Sequence, residues 1–353
     1  KNQEYYFRSG ITWTLITSSH FGVRCFPQGM LFDVSAHCVF ADGAMKDYLA
    51  AYLNSNVARE ILDMLNPTLN FPSGVIAKLP LRVEDDHLEE ISRLVQENVA
   101  LAKEEWDSFE QSWDFARHPL LPQKGRQSSL AECYQRWEQE RKAAFTTLWQ
   151  NEEKLNQSFV KICQVEGEIS PQVAREDITL RLAQPEREAK SLLSYLVGVV
   201  LGRYSLEKDG AQGGGCQLVD LEELPKRVME LLAEIYGSSR REETLEILAQ
   251  MLGTDQKGEE AIVQYFSKEF YKDHLRAYQN LPIYWVLELG ESRVLCSFHG
   301  MTKETLAQAR ELVQGQLEKE RTEYQAMEKP KKKDTQRMEK LERQSQGICQ
   351  ALQ

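Results

Sequence analysis

Residues able to contact a charged polymer are concentrated near the start of this sequence. Arginine, tryptophan, serine and histidine occur close together there, as Arg8, Trp13, Ser18, Ser19, His20 and Arg24. Arginine, serine and histidine donate hydrogen bonds to phosphates or to base edges, and aromatic rings stack on bases. With Asn70 and Lys78 further along the chain, these residues form the candidate set for contacts with DNA.

An ordinary β-domain with a polar surface would show the same residues, and composition alone favours that alternative. Trp13 stands in an alternating run, which is more typical of a core position than of a residue that reads bases. The pattern by itself therefore leaves DNA contact in this region as a hypothesis.

Charge is unevenly distributed along the 353 residues, whose formal net charge is -11. Residues 1–82 carry seven basic and six acidic residues, whereas residues 83–353 carry 36 basic and 48 acidic ones. This balance argues against a chain that binds nucleic acid over its whole surface. If DNA is bound, residues 1–82 are the expected place. The three lysines at 331–333 have acidic neighbours and are interpreted as part of a solvated tail.

Motifs for catalysis and cofactor binding are missing from the sequence. An amino-methyltransferase needs an Asn/Asp-Pro-Pro-aromatic loop beside the flipped base, whereas Asn66-Pro67 continues into Thr68-Leu69 and is interpreted as a helix stop. The glycines at 213–215 follow a helical stretch, which favours a flexible loop over a cofactor-binding turn. There is no P-loop, H-E-x-x-H or G-x-S-x-G. The sequence therefore predicts no catalytic, cofactor-binding or metal-binding residue.

Isolated polar side chains do not form a site either. The Asp273-His274 pair on a predicted helix is more typical of a solvated helix face than of a general base. His20 follows Ser18 without a nearby acid, so phosphate contact is favoured over a nucleophilic role. The seven cysteines lack C-x-x-C spacing, which favours reduced thiols and a cytoplasmic location. No apolar stretch reaches the length of a membrane span.

The hydrophobic pattern begins with a β-rich part. Aromatic and β-branched residues between glycine turns predict strands at 5–7, 11–17 and 30–34. A helix is predicted over 46–65, and extended or turn structure follows over 68–83. We expect residues 1–83 to form a small β-rich domain with one helix.

The remainder of the chain is predicted to be mainly helical. Two long amphipathic helices, over 85–113 and 130–162, have apolar residues three or four apart and are expected to pack as an antiparallel pair within 84–166. Residues 167–353 are expected to form a mainly helical C-terminal domain. Its predicted elements are helices at 186–202, 221–236, 242–252 and 259–278, a β-hairpin around Gly290 within 282–299, and a charged helical tail over 302–350. The expected fold class is α+β, mostly α.

Specific strings carry more information than composition does. In the first part they are residues 11–13 with 21–24, the Leu-Asn-Ser string at 53–55, and residues 65–71 with Leu79-Pro80. In the helical part they are residues 103–119, 178–181, 190–195, 202–206 and 270–274 with 282–285. In this order they cover nearly the whole chain, and the set resembles the C-terminal part of PglX-type adenine-specific DNA methyltransferases of BREX phage-defence systems.

This resemblance implies a parent enzyme that transfers a methyl group from S-adenosylmethionine to adenine N6 in DNA. The family's catalytic domain precedes the similar region. The chain is therefore expected to be a fragment that completes the target-recognition domain over 1–83, neither catalyses nor binds the cofactor, and supplies a helical module. Double-stranded DNA and other BREX proteins are the implied partners, without a membrane. An alternative is a protein-interaction module whose acidic helices dock other proteins of the defence complex.

Overall fold

The computed structural model of the chain describes residues 2–18, 20–212, 217–289, 292–326 and 332–352. Within these ranges the strands are β1 (Gly10–Thr14), β2 (Arg24–Phe26), β3 (Ala36–Val39), β4 (Val219–Asp220), β5 (Tyr284–Leu289) and β6 (Ser292–Ser297). The α-helices are α1 (Gly43–Asn54), α2 (Asn56–Leu65), α3 (Ser73–Ile76), α4 (Asp85–Asp107), α5 (Leu130–Ile162), α6 (Pro185–Val200), α7 (Leu224–Tyr236), α8 (Arg241–Leu252), α9 (Gly258–Lys268), α10 (Phe270–Ala277), α11 (Lys303–Ala326) and α12 (Lys332–Leu352). The expected class, α+β with mostly helical content, is confirmed.

Two compact units divide the chain, and each is built from two segments. Unit 1 comprises Lys1–Glu105 and Glu140–Leu182, and unit 2 comprises Trp106–Gln139 and Ala183–Gln353. The chain passes from one unit to the other three times: within α4, within α5 and between residues 182 and 183. All the DNA-contact candidates therefore belong to unit 1, although Ser19 lies outside the described residues.

The sheet of unit 1 is built around an alternating strand. β1 pairs antiparallel with both β2 and β3, so that Ile11 lies opposite Cys25 on one side and Val39 on the other. Ile11 and Trp13 are buried and Thr14 is exposed, as expected for a strand with one face on a core. β1 ends at Thr14 and is therefore shorter than the strand predicted there.

Two strands predicted from aromatic and β-branched residues are wrong. Residues 5–7 belong to a turn that ends in a residue with a φ of 63°, which is incompatible with a strand. Residues 30–34 form no strand and lie just before β3. The Asp33 carboxylate accepts hydrogen bonds from the N–H groups of Ser35 and Ala36, which makes a turn there. Such a turn satisfies backbone donors locally and competes with strand pairing.

The helix predicted over 46–65 is interrupted at Ser55, so the prediction of one continuous helix is wrong. Ser55 has an extended backbone with φ -75° and ψ 154°, and its hydroxyl accepts a hydrogen bond from the N–H of Ala58 at 3.2 Å. Serine in this position caps a helix start, which favours a second helix, α2, over continuation of α1. The segment that follows, predicted to be extended or turn, contains the single-turn helix α3.

Helices α4 and α5 run antiparallel in unit 1. Arg141 Nη2 donates to the Glu104 carboxylate at 2.8 Å, and Asn151 Nδ2 donates to the side-chain oxygen of Asn98 at 3.0 Å. The later residue of α5, Asn151, contacts the earlier residue of α4, Asn98. The two helices therefore run in opposite directions.

Helix α4 ends at Asp107, and the prediction that it continues to residue 113 is wrong. The Ser112 hydroxyl donates to the Asp107 carboxylate at 2.7 Å and closes a turn just after the helix. The same hydroxyl accepts a hydrogen bond from the N–H of Asp114 at 3.1 Å, and such side-chain-to-backbone bonds compete with helical ones. Trp113, predicted on the apolar face of the helix, is consequently 95% exposed.

The core of unit 1 joins α5 to α1. Phe159 is completely buried, and its ring lies 5.2 Å from that of Tyr48 and 5.5 Å from that of Tyr52. The hydroxyls of these tyrosines donate to the carbonyls of Arg82 and Pro80, respectively. The same aromatic cluster therefore also holds the segment that leads into α4.

The core of unit 2 is formed by α6–α10 and the second sheet. Leu192, Leu193 and Leu196 of α6 are completely buried. β6 pairs antiparallel with β4 and β5, so the hairpin predicted within 282–299 is confirmed. Its turn at Gly290 lies outside the described residues, as does the loop containing glycines 213–215.

The prediction of a single helix over 259–278 is wrong, because Glu269 separates α9 from α10. Glu269 has a φ of -117°, and the resulting turn allows both Phe266 and Phe270 to enter the core. The charged tail contains α11 and α12, and residues 327–331 between them lie outside the described residues.

Candidate nucleic-acid interface

The side chain of Asn54 fixes the segment that leads into β2. Its Oδ1 accepts a hydrogen bond from the N–H of Val23 at 2.8 Å, and its Nδ2 donates to the carbonyl of the same residue at 3.2 Å. Val23 is buried, and Arg24 then begins β2 with an exposed side chain. The last residue of α1 therefore determines where Arg24 lies.

Beside Arg24, unit 1 contains a cavity of about 490 Å³, here termed the α5 cleft. Its lining comes from residues within 20–25, 50–59, 95–102, 148–156 and 173–179. The charged members of the lining are Arg24, Arg59, Glu152, Glu176 and Asp177, and His20 and Cys25 are also ionisable. The cleft thus combines basic and acidic side chains with an apolar wall contributed by α4 and α5.

Glu152, on α5, is a half-buried carboxyl group in this cleft. Burial raises the pKa of Glu152 to about 7, while the charge of Arg24 lowers it and that of Asp177 raises it. No residue within the described ranges donates a hydrogen bond to its carboxylate. Partial removal from water disfavours the ionised form of this carboxyl group, and a ligand that supplies hydrogen-bond donors would stabilise it.

The two arginines of the cleft differ in how far their charges are neutralised. Arg59 Nη1 lies 3.4 Å from Asp177 Oδ2, and both side chains are about one-third exposed, at 31% and 35%. Arg24 Nη1 donates to the carbonyl of Val23 at 2.9 Å and forms no ion pair with a carboxylate of the described ranges. Arg24 therefore keeps donors and charge available for an anion.

Trp13, one of the candidates, lies in the core of unit 1. It is 4% exposed, and its indole N–H donates to the carbonyl of Phe71 at 2.9 Å. Its ring stacks on that of His37 at 5.8 Å and meets that of Phe21 edge-on at 5.9 Å. Because its ring and its donor are both engaged within the protein, we leave Trp13 out of the proposed contact surface.

Ser18, His20 and Asn70 are exposed. An antiparallel bridge between Ile16 and Asn70 holds the segment that leads to Ser18 against the segment that contains Asn70. His20 lies a short way along the chain and lines the α5 cleft with Arg24. The structure therefore joins two stretches, 54 residues apart in sequence, that both carry predicted contacts.

Arg8 and Lys78 are exposed elsewhere in unit 1. Arg8 Nη2 lies 3.4 Å from the Asp42 carboxylate, and its guanidinium lies over the rings of Tyr5 and Phe40. Lys78 follows α3 and forms no ion pair with a carboxylate of the described part of the chain. Arg8 is thus partly engaged, whereas the charge of Lys78 is available.

The sequence did not indicate Asn54 or Glu152 as parts of a site. The Leu-Asn-Ser string was the available signal for Asn54, because its serine ends one helix and caps the next and so exposes the asparagine at a helix junction. Nothing in the sequence distinguishes Glu152 from the many other acidic residues of α5, since only the fold places it in a cavity.

Neither a metal site nor a membrane-spanning helix occurs in the part of the chain that the structure describes. Within those ranges, no group of three or more His, Cys, Asp or Glu side chains could hold a metal ion. None of the described helices is both long and apolar enough to cross a bilayer.

Two curated proteins resemble the chain over most of its length. It is 32% identical over 342 residues to the adenine-specific methyltransferase PglX of Lacticaseibacillus casei strain Zhang, which covers 88% of this chain and 28% of that protein. It is 28% identical over 371 residues to the adenine-specific methyltransferase BrxX of Escherichia coli O9:H4 strain HS. This alignment covers 88% of this chain and 30% of that protein. The chain thus spans about three-tenths of the length of these relatives.

No protein-family model matches the chain. The resemblance to PglX-type methyltransferases that the motif strings predict is nevertheless confirmed, because each of the two relatives aligns with 88% of this chain.

Proposed function

We propose that this chain, a sequence relative of PglX-type adenine-specific methyltransferases, is the DNA-recognition and scaffolding portion of an adenine-N6 DNA methyltransferase in a BREX phage-defence system. The observation that carries the proposal is its similarity, over 88% of its residues, to two proteins named as adenine-specific methyltransferases. In this proposal the parent enzyme uses S-adenosylmethionine and acts on double-stranded DNA.

Catalysis is assigned to another part of the parent enzyme. The sequence lacks an Asn/Asp-Pro-Pro-aromatic loop and a glycine-rich turn between a strand and a helix, the two features needed to hold the target base and the cofactor. The chain accordingly supplies binding and orientation of DNA, which bring the target base to a separate catalytic domain.

Unit 1 supplies the proposed DNA contacts. Arg24 and Lys78 are exposed cations without an ion-pair partner in the described ranges, and such side chains neutralise phosphates and release counterions. Ser18, His20 and Asn70 are exposed side chains that can bind phosphate oxygens or base edges. Arg8, partly engaged by Asp42, has a smaller proposed role.

The scaffolding role rests on how firmly the contact residues are held. Asn54 binds both backbone polar groups of Val23, and the adjoining α1 packs through Tyr48 and Tyr52 on Phe159 of α5. A binding surface held by buried packing and hydrogen bonds loses less entropy on association than a mobile loop does.

A protein-interaction role for unit 2 is the second candidate. The residues of unit 2 include 28 basic and 33 acidic side chains, a formal charge of -5, which suits a basic protein partner. Trp113 is 95% exposed and Trp106 is 51% exposed, and exposed tryptophans are typical of the energetically dominant positions in interfaces. Other BREX proteins are the proposed partners.

The first role is tested in the intact parent enzyme by measuring the methylation rate at limiting DNA concentration. We expect Arg24→Ala to lower the rate by about three- to tenfold, because one charge-assisted contact is lost. Arg93→Ala is the control, since Arg93 is exposed on α4 and paired with Glu97 at 3.6 Å. Equal rates for Arg24→Ala and the wild type would count against a role of Arg24 in binding DNA.

The second role is tested by co-purification of the parent enzyme with the other proteins of its defence system. Trp113→Ala is expected to lose a partner that the wild type and Trp113→Phe retain. If Trp113→Ala retained every partner, Trp113 would not be part of the proposed protein interface.

A further inference from the structure

We propose that the α5 cleft is a binding site for one guanine nucleotide unit, with Glu152 binding the base edge and Arg24 binding the phosphate. The site goes beyond recognition of paired DNA, because a base held this way uses its Watson–Crick edge. The nucleotide is either free or unpaired within a strand.

Glu152 can accept hydrogen bonds that no described residue supplies. Its carboxylate lines the cleft, is half-buried and receives no hydrogen bond from the described residues. An ionised carboxylate is an acceptor only, with two oxygens side by side. The ligand that satisfies it therefore presents two adjacent donors.

Guanine is the nucleobase whose Watson–Crick edge carries two adjacent donors, the N1–H and the N2 amino group. Adenine and cytosine each present one amino donor beside a ring nitrogen that accepts, and this acceptor would face a carboxylate oxygen. Thymine and uracil present one N–H between two carbonyl oxygens, which the carboxylate repels. The chemistry of Glu152 thus selects guanine among the bases.

The α5 cleft also has the size and the apolar lining that a planar ring requires. Its volume of about 490 Å³ falls within the range of small-molecule sites. Val99 and Ala102 of α4 are exposed although they line a concave surface, and Leu148 and Leu155 line it from α5. Apolar side chains of this kind cover the face of a planar ring.

Charge around the cleft is distributed so that Arg24 can bind an anion. Arg24 is close enough to Glu152 for its charge to influence the carboxyl group, yet it forms no ion pair with it. Arg59 is held by Asp177 at 3.4 Å and contributes less charge. A ligand with a base at Glu152 therefore has its phosphate within the influence of Arg24, with His20 also in the lining.

The test is calorimetric titration of the full 353-residue chain with cyclic GMP at pH 8. Cyclic GMP is the probe because its phosphodiester keeps a single charge, whereas a phosphate monoester changes charge near neutral pH. We expect saturable binding at least about tenfold tighter than that of cyclic AMP, reflecting one mismatched hydrogen-bond pair. No binding at millimolar concentration, or equal affinity for both cyclic nucleotides, would overturn the proposal.

Glu152→Gln tests the residue assigned to the base, with Glu166→Gln as the matched control. Glu166 is exposed after α5 and is not part of the cleft lining. We expect Glu152→Gln to weaken cyclic GMP about tenfold or more and Glu166→Gln to leave it unchanged. Wild-type affinity in Glu152→Gln would contradict the assignment.

The pH dependence provides a readout that a purely structural role of Glu152 would not produce. Because its pKa lies at about 7, the carboxyl group is mostly ionised at pH 8 and mostly neutral at pH 6. Guanine needs the ionised form, so its affinity is expected to fall about tenfold from pH 8 to pH 6. Arg24, Arg59, His20, Glu176 and Asp177 also face the cleft, so the same titration in Glu152→Gln separates their contribution. A pH dependence that persists unchanged in this variant would overturn the proposal.

The source of the nucleotide is identified with a single-stranded oligothymidylate that contains one guanine. Tighter binding of this strand than of cyclic GMP, abolished when thymine replaces the guanine, identifies an unpaired base in DNA. Tighter binding of cyclic GMP identifies a free nucleotide. Binding of neither overturns the inference, and duplex binding measured separately shows whether the proposed DNA-recognition role fails with it.

Discussion

The side-chain oxygen of Asn156 accepts a hydrogen bond from the backbone N–H of Asn56 at 2.8 Å. The two residues are 100 positions apart, and the bond joins α5 to the first turn of α2. Asn156 is only 4% exposed, so water cannot readily replace it as the acceptor. This bond supports the helix junction that carries Asn54 and, through it, Arg24.

Replacing this acceptor should destabilise unit 1. We expect Asn156→Ala to lower the free energy of unfolding by about 1 kcal/mol, because the part-buried backbone N–H of Asn56 loses its hydrogen-bond acceptor. Urea denaturation measures the effect. Gln157→Ala, at an exposed position of the same helix, is the control and should change stability by less than about 0.5 kcal/mol. If both variants changed the free energy of unfolding equally, the hydrogen bond between Asn156 and Asn56 would make no specific contribution to stability.

Gly198 in α6 is a site of close packing in unit 2. A Cβ built there would overlap the ring of Tyr204 and lie 2.9 Å from the Tyr284 hydroxyl oxygen. Gly198→Ala is therefore expected to destabilise unit 2 by about 1–3 kcal/mol, since the core must shift to admit the methyl group. Thermal or urea denaturation monitored by tryptophan fluorescence provides the measurement.

Gly315 in α11 provides the control, because the same substitution there is expected to raise stability and not to lower it. A Cβ there meets nothing within 4 Å, so alanine adds helix propensity without a clash. Gly315→Ala should stabilise the helix by about 0.5–1 kcal/mol. If Gly198→Ala were as well tolerated as Gly315→Ala, the packing described around Tyr204 would be incorrect.

Glu110 should make the stability of unit 2 depend on pH. It is 7% exposed, and burial raises its pKa from the ordinary value of 4.5 to about 7, with Ser194, Arg203 and Tyr204 opposing the shift. Because the folded state holds this proton more tightly than the unfolded state, stability should decrease as pH rises from about 4.5 to about 7 and then level off.

Glu110→Gln should remove that dependence, since the amide cannot ionise. We expect the variant to be more stable than the wild type at pH 8 and to show a flatter profile between pH 5 and pH 8 in urea denaturation. Glu234→Gln, at an exposed position of α7, serves as the control and should retain the wild-type slope. A wild-type slope in Glu110→Gln would assign the pH dependence to other groups.

Helices were predicted more accurately than strands, for a physical reason. The apolar spacing over 130–162 extends through many turns and matches α5 to the residue. Runs such as 30–34 are too short to show a period, and one side chain, Asp33, redirects the backbone there. Helix ends were missed where Ser55 and Asp107 bind the backbone or a neighbouring side chain, because such local bonds do not alter the apolar pattern.

The site was predicted only in part from the sequence. Residue types near the N-terminus indicated Arg24 and His20, and the structure places both in one cleft. Trp13 shows the limit of that argument, because its stacking ability serves the core just as well. Glu152 and Asn156 join the site from more than 120 residues away, which depends on the packing of α5 and not on any local pattern.

The most direct test of the proposed DNA-recognition role is fluorescence anisotropy of the full chain with duplex DNA at several salt concentrations. The account predicts binding whose log affinity falls linearly with log salt, and a slope reduced by about 0.9 for each of Arg24→Gln and Lys78→Gln. Absence of binding even at low salt, or a slope unchanged in both variants, would contradict a DNA-contact surface formed by these residues of unit 1.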